Sequence, residues 1–179
     1  VGVLDVEETT PARALELPVL RSHESPPLRT LVATMMPPND NFIAEHLFKM
    51  LPVVALKQRG TFDGGTQVEK RFLASLGLDP RTLVGGDGSG LSQGDRITPH
   101  DLTTILAWEI RSGDGRWFIG SLALAGINGT VRRHLRGSDA VGLVRAKDGY
   151  IWHASTFSGY AQTKHHGTIV FSIMFNDAV

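Results

Sequence analysis

The stretch LVRAKDGYIWHASTFSGYAQTKHHGTIVFSIMFN, residues 143–176, decides the fold. Residues 156–161 (T-F-S-G-Y-A) and 168–175 (T-I-V-F-S-I-M-F) read as buried or half-buried strands, the second a nearly continuous apolar run of strand length. The polar residues 162–167 between them, closing on Gly167, fit the loop of an antiparallel hairpin. Ahead of the hairpin, residues 142–147 predict a third short strand ending in Lys147-Asp148-Gly149. A lysine followed closely by a glycine sets a cation beside backbone that a ligand can approach, because glycine has no side chain in the way.

Outward from this stretch, 179 residues with 41% apolar composition suffice for one ordinary core, so a single domain is expected over residues 1–179. Eighteen basic and eighteen acidic residues cancel, which argues against a nucleic-acid partner. No apolar run approaches the roughly 20 residues that cross a bilayer, so no membrane span is expected. The chain opens on Val1 and shows no signal core, reading as a mature form, a trimmed chain or a fragment. Zero cysteines exclude disulfides, thiolate metal sites and a cysteine nucleophile.

Residues 1–24 predict a connector and residues 25–140 a mainly helical part, with the sheet strands in 141–179. Ser25-Pro26-Pro27 predicts a capped helix start that runs to Pro37-Pro38. Asn39-Asp40-Asn41 then forms a polar turn able to cap a second helix, whose apolar positions Ile43, Leu47, Met50, Leu51 and Val54 continue until Pro52 bends or ends it. A glycine-rich link over residues 60–65 leads to a third helix, with Val68, Phe72 and Leu76 inward and Gly77 as its stop. Residues 85–99, GGDGSGLSQGDRITP, form a loop tied to a helix that Thr98-Pro99 opens with a capping-box pattern. After Gly113-Asp114-Gly115 comes a mixed segment with a turn at Asn128-Gly129 and a cluster of Arg132, Arg133 and Arg136 whose plainest role is a solvated face.

Familiar site motifs fail here. The glycine-rich loop lacks the Gly-Lys-Ser/Thr of a phosphate loop, and Leu91 stands where a dinucleotide fingerprint needs glycine. Ser89 has Asp87 and Leu91 where a nucleophile elbow requires glycines. His165 and His166 are adjacent and point apart on extended backbone, so a surface turn rather than a metal site is expected there, and no metal or cofactor is assigned.

Four motifs in order carry a resemblance: Asn39-Asp40-Asn41 with Ala44-Glu45, then Asp87-Gly88-Ser89-Gly90-Leu91-Ser92 with Thr98-Pro99. Next come Gly126-Ile127-Asn128-Gly129-Thr130-Val131-Arg132-Arg133, and Ala146-Lys147-Asp148-Gly149 with Gly159-Tyr160. Over residues 25–176 the chain resembles the C-terminal portion of the D-alanyl-D-alanine carboxypeptidase/endopeptidase family, the class C low-molecular-mass penicillin-binding proteins. The resemblance implies an α+β fold, the serine beta-lactamase/transpeptidase-like domain. In it an antiparallel sheet, here supplying its last three strands, packs against a helical region, with the Asn39 loop facing the Lys147 strand across a cleft. Such enzymes use an S-x-x-K serine as nucleophile and its lysine as base. An S-x-N hydroxyl passes protons, and a K-T-G strand receives the terminal carboxylate of a peptidoglycan or other D-Ala-terminated peptide. Asn39, Asn41 and Lys147 are therefore the expected catalytic positions, with Asp148, Gly149 and Tyr150 at the substrate. The implied compartment is periplasmic or extracellular.

The departures are as specific as the matches. The five lysines are Lys49, Lys57, Lys70, Lys147 and Lys164, and none has a serine three residues before it. Either a preceding segment holds the nucleophile or the protein has none, and the fold, incomplete in this chain, needs that segment or a partner chain to finish its sheet. Asn39 stands for the S-x-N serine, and an amide cannot accept and pass on a proton as a hydroxyl does. Asp148 stands for the K-T-G threonine. A carboxylate about 4 Å from a ligand carboxylate repels it by about 4 kcal/mol at an effective dielectric near 20, unless Asp148 pairs with Lys147 or points outward. Tyr150 is bulky where the family has a small hydroxyl residue. An enzyme with a degraded active site, inactive as this chain alone, and a non-catalytic binding or scaffold module are the two functions these features predict.

Overall fold

The structure is a computed structural model that describes Pro18 and residues 21–177. Most of the connector expected over residues 1–24 lies outside the described residues. Helix α1 spans Leu28–Met35. Its start is two residues later than a Ser25 cap would give, and no side chain caps it; instead the Pro27 carbonyl accepts from the Thr30 and Leu31 N–H groups at 2.9 and 3.2 Å. Met36 still has helical backbone and donates its N–H to the Val32 carbonyl at 3.0 Å, and the helix stops there because Pro37 and Pro38 have no N–H to continue the ladder.

Helix α2, Asn41–Leu56, is capped by the Asp40 carboxylate, which accepts from Ile43 N–H at 3.0 Å. It does not stop at Pro52 but runs through it. Pro52 is buried against helix α3, Phe62–Ser75, where a Cβ added to Gly64 would lie 2.8 Å from the Pro52 ring. A Cβ on Gly65 would fall 2.5 Å from the Phe48 ring. The glycines expected in a link thus sit in the first turn of α3, behind a Thr61 cap at 3.1 Å, because only bare backbone lets the helices approach so closely. The buried face of α2 is Phe48 and Pro52; Met50 and Val54, expected inward, are exposed. On α3, Val68, Phe72 and Leu76 are half-buried and Leu73 is the core residue. Gly77, with φ +77°, ends it as the spacing predicts.

Helix α4, Pro99–Glu109, has the expected capping box, with Thr98 Oγ1 accepting from Asp101 N–H at 3.0 Å. A further helix, α5 at Gly115–Ser121, lies in the segment read as mixed. A Cβ at Gly115 would meet the Glu109 carbonyl at 2.3 Å, so glycine makes the sharp reversal between α4 and α5.

The sheet has four antiparallel strands rather than three, ordered β1 (Ala123–Leu124), β2 (Val144–Ile151), β3 (Ala154–Gln162) and β4 (Thr168–Asn176). The added β1 has two residues, too few for an alternation to register in sequence. Strand β2 begins two residues after the expected start and runs to Ile151, so Lys147-Asp148-Gly149 lies within the strand rather than at its end. One sheet face packs Val144 and Ala146 with Val131, Ala123, Ala125, Phe157 and Phe171. The other packs Tyr160 and Val170 against Leu106 and Leu122. Tyr160 Oη donates to the Leu106 carbonyl at 2.9 Å, and burial, reinforced by Glu109, raises its phenol above the usual range, keeping it a donor.

Candidate functional site

A cleft of about 810 Å³ opens between β2 and the 85–97 loop, floored by the turn that leads into α2. Asn39, Asp40 and Asn41 line it on one side and Lys147, Asp148, Gly149 and Tyr150 on the other. The six expected site residues therefore share one cleft. What joins the two sides is the turn at 126–130. Gly129, at φ +60°, would place a Cβ 2.5 Å from the Pro37 carbonyl, and that same carbonyl accepts from Thr130 N–H at 3.1 Å. Asn128 Oδ1 accepts from Leu124 N–H at 2.7 Å and closes the turn. The Asn39 turn is thereby docked beside the sheet, with Asn39 at φ +61°, a conformation asparagine tolerates better than most residues.

Strand β2 pairs with β1 only at Arg145 and Ala146. The Val144 carbonyl accepts from Ala125 N–H at 2.8 Å while the Leu143 carbonyl accepts from Gln162 N–H at 2.9 Å, so even-numbered residues direct their backbone groups away from β3. By that alternation the backbone of Asp148 and Tyr150 faces an edge with no strand partner among the described residues. Lys147 Nζ, half-buried, donates to the Asp148 carbonyl on this edge. Burial lowers the ammonium's pKa below the ordinary lysine range, and the Asp148 carboxylate opposes that fall from 3.7 Å.

Pleating sends neighbouring side chains to opposite faces, and the Asp148 side chain follows Val144 and Ala146 to the face away from α4. There it accepts from Thr130 Oγ1 and lies 3.2 Å from His134 Nε2, whose ring stacks on Phe157 with centroids 5.0 Å apart. Neither Thr130 nor His134 lines the cleft. A Cβ at Gly149 would lie 2.7 Å from Thr156 Oγ1, so a larger residue there needs the Thr156 side chain to turn. Tyr150 and Trp152 stand at the rim, 85% and 72% exposed.

The opposite wall is the 85–97 loop, held by motif carboxylates, and it carries one residue the sequence reading did not single out, Glu69. Asp87 accepts from Gly90 N–H and, at 2.7 Å, from Ser92 N–H; Glu45 accepts from Gly88 N–H at 3.3 Å. Glu69 of α3 also lines the cleft, its carboxyl pushed up to about 7 by burial and then by Asp95 and Asp87. Burial and Asp87 likewise raise Asp95. The signal for Glu69 was weak: an acidic residue on a helix otherwise read only for its apolar face. His165 and His166 lie in the turn after β3, away from the cleft. Among the described residues no group of three or more histidine or carboxylate side chains is placed to hold a metal, and none of their helices is long and apolar enough to cross a membrane.

An antiparallel sheet backed by helices, with a lysine-bearing strand edge facing a polar turn across a cleft, defines the class as the penicillin-binding, transpeptidase-like domains. Penicillin binding protein 4 of Haemophilus influenzae, in complex with a beta-lactam, superposes with TM-score 0.74 at 25% identity over 83% of this chain and 35% of that one. A predatory endopeptidase of Bdellovibrio bacteriovorus, in complex with an immunity protein, gives TM-score 0.67 at 26% identity over 84% and 37%. The profile of the D-Ala-D-Ala carboxypeptidase 3 (S13) family matches residues 7–179, and the chain belongs to that family. It is 33% identical over 174 residues to a D-alanyl-D-alanine carboxypeptidase of Actinomadura sp. (strain R39), covering 93% of this chain and 31% of the relative. With DacB of Haemophilus influenzae it shares 29% identity over 159 residues, 88% of this chain and 33% of the relative. The chain thus spans about a third of the length of these relatives.

Proposed function

We propose that this chain supplies the peptide-binding side of a D-alanyl-D-alanine carboxypeptidase/endopeptidase-like site of peptidoglycan metabolism, in a catalytically degraded form. The carrying observation is the open β2 edge with Lys147 upon it, set across one cleft from Asn39 and Asn41. An extended peptide pairs with such an edge through its backbone, and its terminal carboxylate is matched by the lysine. Asn39 offers an amide where the family's proton relay needs a hydroxyl, so that relay is lost here while the binding edge is kept. As this chain alone it is inactive. The outer edge of β4, unpaired among the described residues, suits pairing with a further segment or chain that completes the sheet. The setting this function requires is the periplasm or the cell exterior.

The second reading, a non-catalytic scaffold for a protein or wall peptide, is favoured by the exposed Tyr150 and Trp152 at the rim, since exposed aromatics are frequent anchors of interfaces. Two measurements separate these outcomes. An N-acetylated D-alanyl-D-alanine dipeptide is expected to bind and to shift amide resonances of residues 147–151, and absence of any shift at saturating dipeptide would overturn the peptide-binding assignment. A fluorescent beta-lactam is expected to leave no wash-resistant label, and a covalent label on this chain would overturn its catalytic degradation.

A further inference from the structure

Aspartate at position 148 reads from sequence as a repulsive intruder beside the lysine. Its surroundings say otherwise. The carboxylate accepts from Thr130 Oγ1, lies 3.2 Å from His134 Nε2 and 3.7 Å from Lys147 Nζ, and its side chain is mostly covered. Three elements converge on it: the 130–133 turn, His134 stacked on Phe157 of β3, and β2 itself. That degree of satisfaction belongs to a built contact. Asp148 lines the cleft, but its carboxylate is turned to Thr130 and His134, which lie outside it.

We propose that Asp148 is a positioning residue that acts through Lys147: from behind the strand it holds the ammonium charged and in place, so a ligand carboxylate depends on Asp148 without touching it. The inference rests on the peptide-binding reading for its ligand but not for its physics. Lys147 is half-buried, and burial disfavours its charge. Among the described residues Asp148 supplies the carboxylate within 4 Å of Nζ. Removing it strips a partly desolvated cation of its counter-charge, and the hydrogen bond from Nζ to the Asp148 carbonyl remains as the tether. Thr130 and His134 fix the other end, so the position of the cation is referred to the same turn that docks the Asn39 loop.

The sign of one substitution decides between this role and direct repulsion. Asp148→Asn keeps the shape and an acceptor for Thr130. In the whole chain its Lys147 side chain, followed by NMR with isotope-labelled lysine, should titrate about one unit lower than in the parent. Affinity for N-acetyl-D-alanyl-D-alanine should fall about tenfold, while affinity for the same dipeptide as its C-terminal amide should not change. Lys147→Met should erase the preference for acid over amide. His134→Gln should shift the Lys147 titration less than Asp148→Asn does. Tighter binding of the acid by Asp148→Asn, or an unmoved Lys147 titration, overturns the proposal. So does an equal loss for acid and amide, which is what a merely structural role produces. If the parent binds neither dipeptide, the peptide-binding reading fails and the lysine titration alone still decides this one.

Discussion

On one side of the cleft β2 is paired with β3 along its full length, residue for residue from Val144↔Ala161 to Ile151↔Ala154, over a core that includes the fully buried Ala146 and Val131. On the other, the 85–97 loop has one two-hydrogen-bond bridge, Val84 with Arg96, and is otherwise held by carboxylates accepting from its backbone, by Thr66 Oγ1 of α3 donating to the Gly85 carbonyl at 2.9 Å, and by Gly88 pressed against α2. The first wall is built by a repeating ladder, which tolerates change at exposed positions and fails when its spacing is violated. The second is built from single contacts, each of which can be lost separately. A half-buried cation, Lys147, sits on the ladder wall, and the carboxyls that burial raises, Glu69 and Asp95, sit on the loop side.

The harshest challenge to the ladder wall is Gly159→Val. A Cβ at Gly159 would lie 2.2 Å from the Arg145 carbonyl and 2.7 Å from Ala146 Cα, both backbone atoms with no side chain to swing aside. Overpacking of this kind costs about 3 kcal/mol. The expected outcome is a cooperative loss of stability in urea denaturation, with amide exchange accelerated across β2, β3 and β4 together. Confinement of the exchange change to β3 would mean that the wall is not one unit.

The corresponding change on the loop wall is Gly88→Ala. Its Cβ would meet the Ala44 carbonyl and Phe48 Cβ, each at 2.5 Å. Because the loop can lift away from α2, the expected cost is smaller, about 2 kcal/mol, and hydrogen exchange should rise in residues 85–97 while the sheet stays protected. Equal loosening of both walls would erase the contrast.

How much of this was legible in the sequence divides along the same line. Strands β3 and β4 announced themselves through continuous apolar and β-branched residues, and Thr98-Pro99-His100-Asp101 announced α4, because those signals are local. Motif order pointed to the cleft and to Asn39, Asn41 and Lys147 lining it. What stayed hidden depends on contacts between distant residues. Gly64 and Gly65 read as a link because their reason for being glycine is Pro52 and Phe48 on another helix. The buried face of α2 was misjudged for the same reason: Phe48 and Pro52 turn inward while Met50 and Val54 face out. The partners of Asp148 come from residues 18 and 14 positions away in the chain, through a turn whose docking no periodicity records.

The smallest expected effect, and the one that tests the electrostatic half of the contrast, concerns Glu69. Its carboxyl is raised from 4.5 to about 7 by burial, with Asp95 and Asp87 adding to the shift. The unfolded chain therefore loses this proton near pH 4.5 and the folded chain only near pH 7, so between those values the folded state binds more protons. Stability that is fully present below about pH 4.5 is accordingly lost as pH rises through 7. With allowance for the solvent that still reaches the group, the loss is about 1 kcal/mol. Glu69→Gln keeps the shape and removes the titration. In denaturant melts against pH the variant should match the parent near pH 4 and exceed it above pH 7, with the difference in exchange confined to residues 85–97. A parent whose stability difference from Glu69→Gln does not change over that range would show that the folded carboxyl titrates as it does in the unfolded chain. The loop wall would then hold its acids apart through its own backbone donors, as Asp87 already does with Gly90 and Ser92.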